Sequence, residues 1–235
     1  MVISCNICGS ETFGDMRSRK SIRCSKCGSL ERTRVIQLLL NKYQVPTKGQ
    51  KLLHFAPERQ FAHTFREILG ENYYPVDYFP EIFPFEKVQK FDLTTDTEKL
   101  ESESFDLILH SHVMEHIPCN YTAVLYHLHR ALKQDGLHIF CIPIMPDKHY
   151  ACDFSQLEPH YALKQYGQED HVRRFGSLDI QKTLGMVFHL PTAYNLEEVV
   201  RPELLDEHNI PPYARRGWTP HSVLVMRKND LRLTL

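Results

Sequence analysis

Short apolar runs alternate with amphipathic segments along most of the chain after residue 50. Five of these runs have the length of buried strands and end at turns or polar residues: 51–56, 73–76, 88–91, 105–109 and 137–142. Two segments between the runs carry apolar residues at helical spacing, namely Phe61, Phe65, Ile68 and Leu69, and then Val124, Leu125, Leu128, Ala131 and Leu132. Strands that alternate with helices are typical of a parallel sheet covered on both faces. The pattern therefore predicts a doubly wound α/β domain over residues 51–235.

The first fifty residues follow a different pattern. A helix is predicted at about 29–44, because Val35, Ile36, Leu39 and Leu40 share one face and residues 46–49 contain the breakers Pro46 and Gly49. We predict a small head over residues 1–30, followed by a connecting helix and linker over residues 31–50.

Four cysteines in the head have the spacing of a metal site. Cys5 and Cys8 form one C-x2-C pair, Cys24 and Cys27 form another, and fifteen residues separate the pairs. Each pair can present two thiolates from a tight turn, and four thiolates complete a tetrahedral zinc site with no open position. The alternative is a redox dithiol, but that motif is expected beside a βαβ unit. We predict structural Zn²⁺ in a zinc ribbon that depends on the metal for its folding energy.

Composition narrows the class of partner. Lysine plus arginine (28) and aspartate plus glutamate (29) nearly cancel, which gives a formal net charge of −1. This balance counts against a nucleic acid partner. No apolar run approaches the roughly 20 residues that span a bilayer, and the N-terminal residues lack the features of a signal peptide. We expect a cytoplasmic protein without a membrane partner.

Polar side chains lie where the predicted strands end. Asp77 follows the second strand about twenty residues after the first turn, where an acid can bind both hydroxyls of a ribose. Taken alone, Asp77 could equally be a loop acid or a helix cap. The run from His110 to His116 follows the strand at 105–109. These positions predict a nucleotide-like cofactor at the carboxyl ends of the strands.

The segments FDLILHSHVMEHI and LHRALKQDGLHIF, together with Asp77 and the pair Asp92-Leu93, stand in the order and at the separations of known motifs. In these respects the chain resembles the class I S-adenosylmethionine-dependent methyltransferases over about residues 50–230. The resemblance implies a seven-stranded Rossmann-like sheet whose last strand is antiparallel, with 186–190 and 222–226 as the final strands and a helix at about 178–184 capped by Ser177. It also implies insertions at about 144–176 and 192–220, which could close over an acceptor or form a dimer contact.

The first motif departs from the family pattern. The family usually has glycines after the first strand, whereas HFAPE (residues 54–58) has none, although Ala56 is small. The chain resembles a subgroup with a zinc-ribbon head, an HFAPE-like motif and a later GQ-x-DH-x-R segment, here Gly167 to Arg173. The implied contacts to S-adenosylmethionine are His54, Phe55, Ala56, Glu58, Asp77, Asp92, Leu93, Ser111 and His112.

Methyl transfer requires an aligned acceptor and a group that removes a proton from it. The resemblance places His112 where the fourth strand faces the methyl group, His116 one turn later, and His171 in the connection that usually shapes the acceptor site. We predict His112, His171 or His116 as the base, with Arg173 or Arg174 binding an anionic or sugar-like acceptor. Each histidine could instead be structural, since the chain has 14 of them.

Three functions remain open at this point. The first is methylation of an oxygen or nitrogen on a small polar acceptor, either sugar-like or a secondary metabolite. The second is methylation of RNA docked by the zinc ribbon. The third is noncatalytic binding on a methyltransferase scaffold, suggested by the missing glycines.

Overall fold

A computed structural model describes residues 2–155 and 158–233 of the protein. The strands are β1 (Phe13–Met16), β2 (Arg19–Cys24), β3 (Leu52–Phe55), β4 (Tyr73–Asp77), β5 (Gln89–Lys90), β6 (Phe105–Ser111), β7 (Leu132–Cys141), β8 (Ile144–Met145), β9 (Ala151–Cys152), β10 (Arg173–Gly176) and β11 (Val223–Arg227). The α-helices are α1 (Glu31–Tyr43), α2 (Arg59–Leu69), α3 (Tyr121–Ala131), α4 (Pro159–Tyr166) and α5 (Pro202–Glu207). Residues 1, 156–157 and 234–235, which fall within the predicted head, the insertion at 144–176 and the main domain, lie outside the described residues.

The central sheet has the order β11-β7-β6-β3-β4-β5. Neighbouring strands from β7 to β5 are parallel, and β11 is antiparallel to β7. Both β3 and the middle of β6 are buried on both faces, as their apolar runs predict. Helix α2 turns Phe61, Ala62, Phe65 and Leu69 into the core. The doubly wound, Rossmann-like α/β fold is confirmed.

The predicted strand at 186–190 is wrong, so the sheet has six strands among the described residues rather than seven. Residues 180–182 and 184–186 form 3₁₀ turns in place of the predicted helix at 178–184. Of residues 186–190, Phe188 forms one isolated antiparallel β-bridge, with Leu231. Val187 and Phe188 are fully buried, and a short buried apolar run looks the same in sequence whether it is a strand or an irregular segment.

Helix α3 ends before Asp135-Gly136, the pair at which the sequence predicts its end. It stops at Ala131, and β7 begins at the next residue and runs through Asp135 and Gly136. A Cβ at Gly136 would lie 2.8 Å from the side chain of Leu132 and 3.0 Å from the carbonyl oxygen of Asp106. This glycine therefore permits the close approach of β7 to β6 and does not end the helix.

The head packs against the main domain through a buried arginine. The hairpin β1-β2 is antiparallel, and α1 follows it. The Arg34 guanidinium donates to the carbonyl oxygens of Ile22 and Ser29 in the head and of His208 and Asn209 after α5, at 2.8–3.0 Å. Arg34 is fully buried, so it links the head to the segment at 208–209.

The segment at 144–176 forms a second, smaller sheet. Strand β10 lies between β8 and β9, parallel to the first and antiparallel to the second. This sheet lies directly after β7 and brings residues 170–173 close to the loop that follows β6, where the Val172 N–H donates to the Glu115 carbonyl oxygen at 3.0 Å. Among the described residues, no helix combines the length and hydropathy needed to cross a bilayer.

Candidate functional site

A cavity of about 690 Å³ opens at the carboxyl ends of β3, β4 and β6. This is the edge of a doubly wound sheet where ligands bind, because strand order reverses there. The residues that line it are Phe55, Ala56, Asp77, Tyr78, Phe79, Ile82, Phe83, Phe91, Asp92, Leu93, Thr94, His112, Val113, His116, Ile117, Pro118 and Asp170. Of the predicted cofactor contacts, Phe55, Ala56, Asp77, Asp92, Leu93 and His112 line the cavity.

The backbone is strained at two points of this wall. Ala56 after β3 has φ 47° and His112 after β6 has φ 56°, both in the left-handed region that favours glycine. Ala56 thus adopts the conformation for which a glycine is normally used. Such strain in non-glycine residues often lies at functional sites.

Asp77 presents a half-buried carboxylate to the cavity. Its Oδ1 accepts a hydrogen bond from the Phe79 N–H at 2.8 Å. Burial raises the pKa of Asp77 above the usual aspartate value, although the N–H groups of Phe79 and Tyr78 oppose this shift. Asp92 has one oxygen held by the N–H and hydroxyl of Thr94. Both acids are positioned by local turns at the ends of adjacent strands.

His54, Glu58 and Ser111 are predicted cofactor contacts that do not line the cavity. His54 is fully buried in β3, with Nε2 2.7 Å from Glu58 Oε2 and Nδ1 3.1 Å from the Tyr73 hydroxyl. This pair ties β3 to the start of α2 and to β4. Ser111 is the last residue of β6 and pairs with Cys141.

The ring of His112 is oriented by a hydrogen bond to Pro220, which does not line the cavity. Its Nε2–H donates to the Pro220 carbonyl oxygen at 3.0 Å, which leaves Nδ1 unprotonated in the neutral ring. Nδ1 lies 3.4 Å from Oε1 of Glu115. Burial, and next the positive charge of Arg32, lowers the pKa of His112 to about 3, so the ring is neutral at pH 7.

Glu115, His116 and His171 lie together beside the cavity. Glu115 is fully buried, and burial raises its pKa to about 8. His116 lines the cavity, and its ring lies 4.6 Å from that of His171, centroid to centroid. His171 is 5% exposed, and burial lowers its pKa to about 4. His171 therefore reaches the cavity only through His116.

Arg173 and Arg174 do not line the cavity. Arg173 is fully buried and donates to the carbonyl oxygens of Met114, Ile117 and Cys119. Arg174 donates to the carbonyl oxygens of Gln165 and His149. The predicted role in binding an anionic acceptor does not fit Arg173, because its charge holds the loop after β6.

Sequence reasoning missed the apolar wall of the cavity. Phe79, Ile82 and Phe83 belong to an aromatic and proline-rich connection that is evident in the sequence but received no role. Phe79 and Ile82 are 53% and 62% exposed and line the cavity, so they form an exposed apolar patch of the kind that marks ligand sites. Asp170 was noted only as part of a motif.

The four head cysteines converge as their spacing predicts. One sulfur atom from each of Cys5, Cys8, Cys24 and Cys27 lies within 4.8 Å of the others. The Sγ atoms of Cys5 and Cys27 are 3.6 Å apart, and those of Cys8 and Cys24 are 3.5 Å apart. These separations exceed a disulfide bond and suit four ligands around one ion.

The family model described as "Methyltransferase domain" matches residues 30–189 of the chain. The chain belongs to this methyltransferase family. The matched region includes α1, the cavity and its neighbouring histidines. No curated protein matches the sequence significantly.

Several solved structures are similar to this chain, and two of the three described here are methyltransferases by name. YcgJ from Bacillus subtilis is 18% identical, with 65% of this chain and 67% of that chain covered and a TM-score of 0.44. Coclaurine N-methyltransferase bound to N-methylheliamine and SAH is 16% identical, with 65% and 46% covered and a TM-score of 0.43. The 1,6-didemethyltoxoflavin-N1-methyltransferase of Burkholderia thailandensis is 17% identical, with 74% and 72% covered and a TM-score of 0.46. The chain thus spans less than half of the coclaurine enzyme.

Proposed function

We propose that this methyltransferase transfers a methyl group to an oxygen or nitrogen of a small polar acceptor bound in the cavity. The observation that carries the proposal is a single cavity whose wall contains both the Asp77 carboxylate and the imidazoles of His112 and His116. Its volume of about 690 Å³ is within the range of small-molecule sites. The formal net charge of −1 also favours a small acceptor over RNA.

S-adenosylmethionine supplies the electrophilic methyl group when it is bound. The residues present fit this cofactor: the left-handed turn at Ala56 lets the backbone approach a ligand without a glycine, and Asp77 offers carboxylate oxygens to ribose hydroxyls. Asp92 and Leu93 lie beside them on the next strand end. Phe79 and Ile82 provide apolar surface for a base.

His112 and His116 form the acceptor side of the proposed site. Pro220 fixes the orientation of the His112 ring, and Asp170 that of the His116 ring. Side chains held in this way position an acceptor without reorganisation during the reaction.

We further propose that the head binds one structural Zn²⁺ through Cys5, Cys8, Cys24 and Cys27. The convergence of four sulfur atoms in an otherwise small hairpin supports this ion. Four protein ligands leave no position for an acceptor, so the role of the ion is to stabilise the head. Arg34 connects the head to the segment at 208–209 by hydrogen bonds, so an ordered head also stabilises that segment.

Transfer of a labelled methyl group tests the acceptor class. We expect the purified protein with labelled S-adenosylmethionine to modify acceptors in a small-molecule extract that carries free hydroxyl or amino groups, and to leave total RNA unlabelled. Heat-denatured protein is the control for chemical methylation. Label in RNA but not in small molecules would overturn the proposed acceptor and favour a ribbon-docked nucleic acid.

Replacing Asp77 with alanine should weaken binding of S-adenosylhomocysteine by about 1 to 3 kcal/mol, because two charge-assisted hydrogen bonds to ribose are lost. Isothermal titration calorimetry measures this change. Asp135→Ala is a matched control, since Asp135 is exposed at the opposite, amino-terminal end of β7. Equal affinity in Asp77→Ala and Asp135→Ala would remove Asp77 from the cofactor site.

A further inference from the structure

Three potential ligand atoms converge beside the cavity, and two of the three residues have unpartnered buried polar atoms. Glu115, His116 and His171 each offer one atom within 4.8 Å of the others. Neither carboxylate oxygen of the fully buried Glu115 has a hydrogen-bond partner among the described residues, and Nε2 of the buried His171 also has none. Buried polar atoms are rarely left in this state, so the arrangement requires an explanation.

His116 is oriented in the way that metal-binding histidines are. His116 directs Nδ1 to the carbonyl oxygen of Asp170 at 3.3 Å and to its Oδ2 at 3.2 Å, while Nε2 lies 3.8 Å from Glu115 Oε1. Nε2 of His171 has no hydrogen-bond partner among the described residues, so it is available to a ligand. Histidine ligands usually donate their second ring N–H to a carbonyl or carboxylate, which leaves the other nitrogen free for the metal.

The two segments that carry these side chains are joined rigidly. The Val172 N–H donates to the Glu115 carbonyl oxygen at 3.0 Å. Arg173 holds the carbonyl oxygens of Met114 and Ile117 on either side of Glu115 and His116. The three ligand atoms are thus held together without an ion, as a built site requires.

Neither the nearby arginines nor the neutral ring of His112 forms a hydrogen bond with Glu115. Arg32 and Arg173 act on it electrostatically, but neither forms a hydrogen bond with either carboxylate oxygen. His112 lies 3.4 Å from Oε1 without hydrogen-bond geometry. A single ligand that binds both a carboxylate and two imidazoles would give Glu115 the partner that it lacks.

We propose that Glu115, His116 and His171 bind a divalent transition-metal cation, separate from the ion of the head. Two imidazoles and one carboxylate suit Zn²⁺, Fe²⁺ or Co²⁺ and leave further coordination positions open. Since His116 lines the cavity, the ion lies at its wall. Metal binding does not depend on the proposed methyl transfer, whereas a contact from the ion to an acceptor oxygen rests on it.

The test measures how many metal ions the full chain binds, with Co²⁺ as the probe. Protein that retains one equivalent of zinc in its cysteine site is titrated with Co²⁺ by calorimetry and visible absorption. We expect one further equivalent, with the weak absorption of nitrogen and oxygen ligands and without thiolate charge transfer. His116→Gln, His171→Gln and Glu115→Gln should each weaken this second binding by at least about tenfold.

His63→Gln is the matched control, because exposed His63 lies 3.3 Å from Glu67 on α2 and belongs to no three-ligand cluster in the described part of the chain. It should bind Co²⁺ as the unmodified protein does. His116 is 34% exposed, so His116→Gln should fold even if substitution of buried Glu115 does not. A total of one metal per chain, or second-site affinity that survives His116→Gln and His171→Gln, would overturn the proposal, whatever the outcome for S-adenosylmethionine.

Discussion

Replacing Arg173 with methionine is expected to lower the free energy of unfolding by about 3 to 5 kcal/mol and to weaken S-adenosylhomocysteine binding. The substitution leaves the carbonyl oxygens of Met114, Ile117 and Cys119 without their donor. It also removes the guanidinium that lies 5.5 Å from the centre of the Tyr121 ring. The loop after β6 carries His112 and His116, which line the cavity. Disorder of this loop should therefore displace both side chains.

Denaturant unfolding measures the change in stability, and calorimetry under conditions where the variant is fully folded measures the affinity. Arg173→Lys should recover little, because an ammonium cannot reproduce the fork that serves three carbonyl groups. A folded Arg173→Met protein with normal affinity for S-adenosylhomocysteine would show that this loop does not shape the cofactor site.

Replacing Arg34 with methionine should also cost about 3 to 5 kcal/mol, but without a direct effect on the cavity. Four carbonyl oxygens lose their donor, two in the head and two at residues 208–209. The Arg34 and Arg173 variants therefore serve as controls for each other: both lose a buried guanidinium, and only one of these guanidinium groups holds the loop after β6.

Arg201→Met provides a neutral reference, since Arg201 is exposed and its side chain does not cap α5. Unfolding of Arg34→Met should begin at lower denaturant than that of Arg201→Met, while the affinity of the folded protein for S-adenosylhomocysteine stays close to normal. Equal stability in these two variants would mean that the head and the main domain are energetically independent.

Sequence alone predicts the parts of the fold that depend on local pattern. The strands β3, β4 and β6 follow from apolar runs that end at polar residues. The four cysteines converge because two C-x2-C turns constrain their own geometry. Each of these features is encoded within a few residues.

Features that depend on distant contacts are not predictable in this way. Two acceptors of Arg34, at residues 208 and 209, are 174 and 175 positions away from it in the chain. Arg173 is predicted to bind an acceptor, while its actual partners lie more than fifty positions earlier in the chain. A buried guanidinium that donates to distant backbone carbonyl groups cannot be recognised from the residues next to it in the sequence.

The candidate site shows the same division. Asp77 and His112 are found from strand ends, whereas the left-handed backbone that replaces a glycine at Ala56 is a property of the folded turn. Glu115 and His171 lie in separate motifs and meet only because Val172 pairs with the loop after β6. Sequence identified the histidines, and the structure determines which of them face the cavity.

A crystal structure with S-adenosylhomocysteine tests the central claim most directly, namely that the cavity between β3, β4 and β6 is the site of methyl transfer. We predict that its ribose hydroxyls bind Asp77, that the base lies beside Phe79 and Leu93, and that the sulfur points toward the wall formed by His112 and His116. A ligand bound elsewhere, or an empty cavity at saturating ligand concentration, would contradict this assignment.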